Sequence, residues 1–211
     1  MLTVIGSLKG GSGKSTVTFN IAVWLAMAEA EVVAFDLDPQ RTLSDVAEVR
    51  AEEGYAPELK IRHKIPDLKK FAGKKDLEVL VDVGAADLDG MKKAISLADR
   101  ILIPVPPSQA DIWSTQRFLG LVSKSARGRR PEVMAFINRA DTHHAVRESD
   151  EAAAALVSLP GLRFIKARLG QRTVYRRSFS EGLAVFELDP RCKGAREFTD
   201  LAAVLFPDYL T

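Results

Sequence analysis

Cysteine is almost missing from this chain of 211 residues: Cys192 stands alone, which excludes a disulfide framework within the chain and fits a reducing compartment. The three histidines, His63, His143 and His144, share no spacing with cysteine or carboxylate that a metal would demand. They read as ordinary surface or core residues. No stretch approaches the roughly 18 apolar residues of a membrane span, and Met1 runs straight into a strand-like segment without the three-part pattern of a signal peptide. A soluble cytoplasmic protein is expected. Charge of one sign is scarce as well, with 30 basic against 28 acidic residues and a net charge of +2. A polyanion partner must therefore be argued from where the charges lie. Repeats, low-complexity tracts and linkers are lacking. With 46% hydrophobic residues, the length suits one well-buried core, and a single domain over residues 1–211 is expected.

What the chain does have is order. Apolar runs, each followed by a helical pattern, recur at Leu2–Leu8, Glu31–Phe35, Leu77–Val81, Ile101–Val105, Val133–Ile137 and Leu162–Ala167. Repeated β-then-α order predicts an α/β fold, a mainly parallel doubly wound sheet with helices on both faces. Val17, Ile21, Trp24, Leu25 and Ala28 predict a core-facing helix with one apolar stripe. The stretch from Gly54 to Pro66 is punctuated by Gly and Pro and predicts a loop with a short edge strand. In such sheets ligands collect at the carboxyl ends of strands, so functional residues should follow the apolar runs.

The first run leads into Lys9-Gly10-Gly11-Ser12-Gly13-Lys14-Ser15-Thr16. Glycines let successive backbone N–H groups converge on phosphate oxygens, Lys14 adds a point charge, and the Ser15 hydroxyl can ligate Mg²⁺. The general pattern G-x-x-x-x-G-K-[ST] fails at its first position, where Leu8 stands. The variant K-G-G-x-G-K-[ST] fits instead. Its chance occurrence in a chain this long is on the order of 10⁻⁵, which sets aside a merely structural turn.

On this motif the chain resembles the deviant Walker A ATPases, the group containing ParA and MinD. The resemblance implies a P-loop fold, ATP and Mg²⁺ as cofactors, and a homodimer in the ATP state in which Lys9 reaches the partner subunit's nucleotide. A lone cysteine argues against the iron–sulfur relatives of the group, which need several thiolates. There is no room before Leu2 for the N-terminal helix-turn-helix of larger ParA proteins, so operator binding is not expected.

Further strand ends extend the resemblance. Asp36-Leu37-Asp38-Pro39-Gln40 is similar to the D-x-D-P-Q motif of ParA proteins, which makes Asp38 the hydrolysis residue. Asp36 sits in the second shell of the metal. A carboxylate near the γ-phosphate can hold the attacking water. Asp82, closing Val79–Val81, fits a Walker B position that holds Mg²⁺ with Ser15, and Gly84 follows in the nucleotide-sensing turn. Pro106-Pro107-Ser108-Gln109-Ala110-Asp111 is similar to the P-S-x-x-D segment of small ParA proteins, and Asp111 is expected at the dimer interface. Asn138-Arg139-Ala140-Asp141 invites comparison with the N-K-x-D guanine motif, but Arg139 replaces the lysine, and the family places Asn-Arg beside adenine.

The stretch Gln171-Arg172-Thr173-Val174-Tyr175-Arg176-Arg177-Ser178, continuing through Gly182 to Val185-Phe186-Glu187, is similar to ParF-type partition ATPases. Residues 168–171, including Leu169, should wall the adenine pocket, while Tyr175 and Phe179 read as core. The region is basic: Arg163, Lys166, Arg168, Arg172, Arg176, Arg177, Arg191, Lys193 and Arg196 are set against Glu181, Glu187 and Asp189. This predicts sequence-independent DNA binding through Arg168, Arg172, Arg176, Arg177, Lys193 and Arg196. The expected function is slow, partner-stimulated ATP hydrolysis that drives partition or positioning of a cargo, with an activator of ParB type and association with the nucleoid. A MinD-like membrane-cycling regulator is the alternative. It needs a C-terminal amphipathic helix, whereas the end from Glu197 to Leu210 is acidic and interrupted by Pro207. A small-molecule P-loop ligase or kinase would need a substrate constellation that the sequence does not show.

Overall fold

The computed structural model describes residues 1–74, 76–142 and 147–210, so His143 and His144 lie outside the described residues. Seven strands form one sheet: β1 (Leu2–Ile5), β2 (Val32–Asp36), β3 (Ile61–Arg62), β4 (Glu78–Asp82), β5 (Arg100–Val105), β6 (Glu132–Ala140) and β7 (Arg163–Gly170). Their spatial order is β3-β2-β4-β1-β5-β6-β7, and every pairing is parallel. The all-parallel sheet bears out the α/β reading. β1, β4 and β5 are buried throughout, the pattern that covering both faces of a parallel sheet imposes. The first apolar run stops being strand at Ile5 rather than at Leu8, because the chain leaves the sheet there for the glycine loop. The expected edge strand in the Gly54–Pro66 segment is β3, only two residues long.

Nine helices are described: α1 (Lys14–Met27), α2 (Thr42–Glu52), α3 (Ile65–Phe71), α4 (Leu88–Ile95), α5 (Gln109–Ser125), α6 (Glu148–Val157), α7 (Thr173–Ser180), α8 (Val185–Leu188) and α9 (Lys193–Leu205). Side chains of each strand alternate between two cores. Val4, Val79, Val81, Ile101 and Ile103 meet α3–α6 on one face, whereas Ile5, Leu80 and Leu102 meet α1, α2, α8 and α9 on the other. The single stripe expected for α1 understates its burial. Phe19, Ile21, Ala22, Val23 and Leu25 are all fully covered, because α2 and the C-terminal helices wrap its outer side and Phe19 meets the ring of Phe179 edge-on at 5.6 Å.

One buried polar clasp escaped the sequence reading. Arg50, near the end of α2, is fully enclosed, and all of its N–H groups find acceptors. Nε donates to Pro57 O at 2.9 Å, Nη1 to Gly182 O at 3.1 Å and Glu187 Oε2 at 2.8 Å, and Nη2 to Ala56 O at 2.9 Å and Glu187 Oε1 at 2.8 Å. The turn between α7 and α8 closes tightly on it: a Cβ on Gly182, whose φ is +71°, would lie 2.7 Å from Arg50 N. Removing one partner of a buried pair strands the other. Arg50→Met is therefore expected to lower the unfolding free energy by about 3–5 kcal/mol in urea titrations; a loss within experimental error would show that water replaces the clasp.

Candidate nucleotide site

The loop 6–13 joins the centre of the sheet to the N-terminus of α1, where unpaired N–H groups and the helix dipole favour an anion. Its shape depends on glycine. Gly11 and Gly13 have φ of +74° and +90°, and a Cβ on Gly13 would lie 2.4 Å from Asn138 Nδ2. That amide, near the end of β6, donates to Ser12 O at 2.7 Å and pins the loop from two strands away, with β5 between. Within the loop, the Ser7 and Ser12 hydroxyls meet at 2.9 Å. Lys14 is buried and turned back, with Nζ donating at 3.4 Å to Ser7 Oγ and 3.3 Å to Lys9 O. Burial pushes its pKa down, against the attraction of Asp82 and Asp38. Among the described residues the ammonium makes two long hydrogen bonds, which an incoming phosphate readily displaces.

Three carboxylates gather at the same edge. Asp36 and Asp82 stand opposite each other in the β2–β4 register. Asp36 accepts from Ser44 N at 2.9 Å, Ser44 Oγ at 2.6 Å and Asp38 N at 3.1 Å; it shapes the loop that carries Asp38. Asp38 accepts from Gln40 N at 3.0 Å and lies flat over Gly84, where a Cβ would come within 2.8 Å of its carboxylate. Gly84, expected in the nucleotide-sensing turn, also makes room for Asp38 through its missing side chain.

Asp82 is fully buried, and neither carboxylate oxygen has a hydrogen bond of good geometry among the described residues, although the Ser15 hydroxyl lies close by. Burial pushes its pKa up to about 7, helped by the charge of Asp36 and opposed by the Ser15 hydroxyl and Lys14. A buried carboxylate without a partner is costly, and a hard divalent cation supplies what is missing. Among the described residues no group of three or more His, Cys, Asp or Glu is arranged to hold a metal alone. The donors present, Ser15 and Asp82 with Asp36 behind, fit Mg²⁺, which usually takes one or two protein oxygens together with substrate phosphates.

Beside the loop opens a cavity of about 380 Å³ lined by Gly13, Thr16, Asn138, Arg139, Leu169 and Gln171 on one side and by Arg172, Tyr175, Arg176 and Phe179 on the other. A register irregularity between Asn138 and Ala140, with Arg139 at φ +56°, turns Arg139 outward over it. Tyr175 and Phe179, read as core, are half-buried and form the cavity's apolar floor. Burial pushes the Tyr175 phenol up, and its hydroxyl donates to Gly194 O at 2.9 Å. Arg168 does not reach the cavity; it pairs with Asp150 at 2.6 Å.

With glycine loop, lysine, unpartnered carboxylate and adjoining cavity at one edge, the comparison with known proteins is specific. Residues 3–185 match the family of CobQ/CobB/MinD/ParA nucleotide binding domains. The chain belongs to that family. It is 29% identical over 199 residues, 92% of this chain and 90% of the relative, to maintenance of carboxysome distribution protein A of Halothiobacillus neapolitanus. Apo McdA of Cyanothece superimposes with a TM-score of 0.79 at 20% identity, over 96% of this chain and 98% of that one. MinD of Pyrococcus horikoshii complexed with Mg-ADP gives a TM-score of 0.72 at 22% identity, over 96% and 94%.

Two expectations for this ParA/MinD-family chain gain structural detail. Asp111 is buried beneath Lys9, whose Nζ donates to Asp111 Oδ2 at 2.8 Å, and the Ser108 hydroxyl also bonds that carboxylate. Asp111 thus acts on Lys9 within its own chain, while Lys9 stays about half exposed at 48%. The basic C-terminal region is also more neutralised than its local charge count implies. Arg172 forms a bidentate pair with Glu197, Arg177 pairs with Glu181, and Arg163 pairs with Glu132. Glu187, counted as an opposing charge, is spent on Arg50. Arg176, Lys193 and Arg196 remain exposed without an ion pair among the described residues.

Proposed function

We propose that the chain is an ATP-driven positioning switch that closes into a face-to-face dimer over two nucleotides. The carrying observation is the half-exposed Lys9 at the rim of the loop, held only by Asp111: in the ATP state it exchanges that carboxylate for the partner's phosphates. Lys14 moves from Ser7 and Lys9 O onto the β- and γ-phosphates, the loop amides from Gly10 to Thr16 cradle them, and Asn138, Arg139 and Leu169 border the base. Ser15 and Asp82, backed by Asp36, hold Mg²⁺, which when bound neutralises charge on the transferring phosphoryl group. Asp38, set over Gly84, orients the attacking water, and hydrolysis stays slow until an activator of ParB type engages. The relative named for carboxysome distribution supports a positioning role, with the activator choosing the cargo.

The dimer associates with DNA without reading sequence, through the uncommitted cations Arg176, Lys193 and Arg196; Arg168, Arg172 and Arg177 contribute less because each already has a carboxylate. No described helix is long and apolar enough to cross a membrane. Against the MinD-like alternative, α9 commits Phe198, Leu201, Ala202 and Leu205 to the core and exposes Val204 as its one large apolar side chain, too little for a bilayer to bury.

Asp38→Ala tests the reading: with ATP and Mg²⁺ it should accumulate as a dimer in sedimentation velocity and lose at least about 100-fold in hydrolysis rate. A monomer in saturating ATP would exclude the sandwich.

A further inference from the structure

The outward face of α5 has no acidic residue. Its one carboxylate, Asp111, is buried under Lys9, whereas Trp113, Arg117, Gly120 and Lys124 recur at helical spacing on the exposed side. At the helix end this stripe meets α4. Lys92, Lys93, Lys124 and Arg127 surround one cleft of about 250 Å³, whose other lining residues are Asp89 and Ser125. Asp89 is engaged by Lys92 at 3.4 Å, and nearby Asp99 is taken by Arg129 at 2.7 Å. Lys93, Lys124, Arg127 and Arg130 are exposed and have no ion pair among the described residues.

Cations at helix C-termini are common because they complement the dipole, but that effect is confined to the last turn. Arg127 and Arg130 lie beyond the end of α5, and Arg117 lies two turns before it, so the dipole accounts for only part of the cluster. Like charges around one cleft repel, and a ligand bearing a regular row of negative charges relieves all of them together.

We propose that the α4–α5 cleft and the stripe leading to it bind the phosphate backbone of duplex DNA, as a contact surface separate from the C-terminal cations. A bilayer fits less well. The large exposed apolar side chain on the stripe is Trp113, at the end remote from the cleft, and membrane docking requires an apolar face to bury. α4 begins at the carboxyl edge and α5 ends at the amino edge, so the cleft runs along the flank of the sheet, and Lys93 also borders the hollow that holds Asp36 and Asp38. In the face-to-face dimer proposed above, on which this step rests, each protomer offers one such cleft. Dimerisation then doubles the contacts offered to one DNA molecule.

The test titrates a fluorescent duplex of mixed sequence with full-length protein over a range of salt, with and without ATP and Mg²⁺. Lys93→Gln/Lys124→Gln/Arg127→Gln should bind about 10-fold or more weakly, with a slope of log affinity against log salt shallower by roughly 3, one per lost phosphate contact. Lys93→Arg/Lys124→Arg/Arg127→Lys should retain wild-type behaviour. An unchanged slope in the glutamine variant, no DNA binding by wild type, or loss of binding to phosphatidylserine vesicles with DNA affinity intact would each overturn the proposal. Dimerisation in ATP is read separately by sedimentation, so failure of the switch reading and failure of this surface appear in different measurements.

Discussion

Asp82→Asn is expected to make the nucleotide-free protein more stable at pH 8 while removing its response to Mg²⁺ and ATP. The folded-state pKa of Asp82 is about 7 against 3.8 for the free group, so folding binds a proton between those values. This group's contribution to stability is fully present below about pH 4, falls as pH rises, and is lost above about pH 7. Roughly three units at about 1.4 kcal/mol each make the penalty about 4 kcal/mol at pH 8. Asparagine removes the charge but still buries an amide, at a cost of about 1–3 kcal/mol, which leaves a net gain of about 1–3 kcal/mol. Urea titrations at pH 5 and pH 8, for both proteins with and without Mg²⁺ and ATP, separate the effects. The wild type should be steeply pH-dependent only without ligand, and the variant much less so in either state. A variant less stable than wild type at pH 8 without ligand would refute the assignment of Asp82 as the site's unpaid electrostatic cost.

Gly13→Ala is expected to weaken Mg²⁺-ATP binding by about 100-fold, whereas Gly10→Ala changes it by no more than a few-fold. At position 13 the new methyl meets Asn138 Nδ2 at 2.4 Å on a backbone with φ of +90°, while at position 10 it meets nothing within 4 Å. Left-handed strain costs an alanine about 1 kcal/mol. Displacing Asn138 from Ser12 O adds about 1–3 kcal/mol for a buried hydrogen bond. Together these make about 2–4 kcal/mol, centred near two decades of affinity. Calorimetric titration of both variants checks it; equal affinities would mean that the loop adapts freely and that Asn138 does not pin it.

How much of this was legible beforehand follows from the range of each interaction. The strands were readable because a parallel sheet covered on both faces demands uninterrupted apolar runs, and Asp36 and Asp82 were readable because each directly closes such a run. The glycine loop is local, so its residues declared themselves. Partners distant in sequence did not. Lys9 and Asp111 are 102 residues apart, and Arg50 and Glu187 are 137 apart; nothing in the neighbourhood of either member signals the other. The charge count over the C-terminal region failed for the same reason in milder form, since it omitted Glu197 on α9 and Asp150 on α6, which the fold brings to Arg172 and Arg168. Tyr175 and Phe179 do pack on the core as read, but helical spacing could not show that the same rings also line the adjoining cavity.

The Arg50 clasp has a mechanical corollary. α2 starts immediately after the Asp36–Arg41 loop, and its last turn carries the guanidinium that grips the backbone leaving α7. Under the proposed function the helix is a rod with one tip beside Asp38 and the other fastened to the turn that follows the cavity-lining α7. On that reading a tilt of α2 that repositions Asp38 is expected to pull on Gly182, and Arg50 is the side chain through which product release would be geared to turnover.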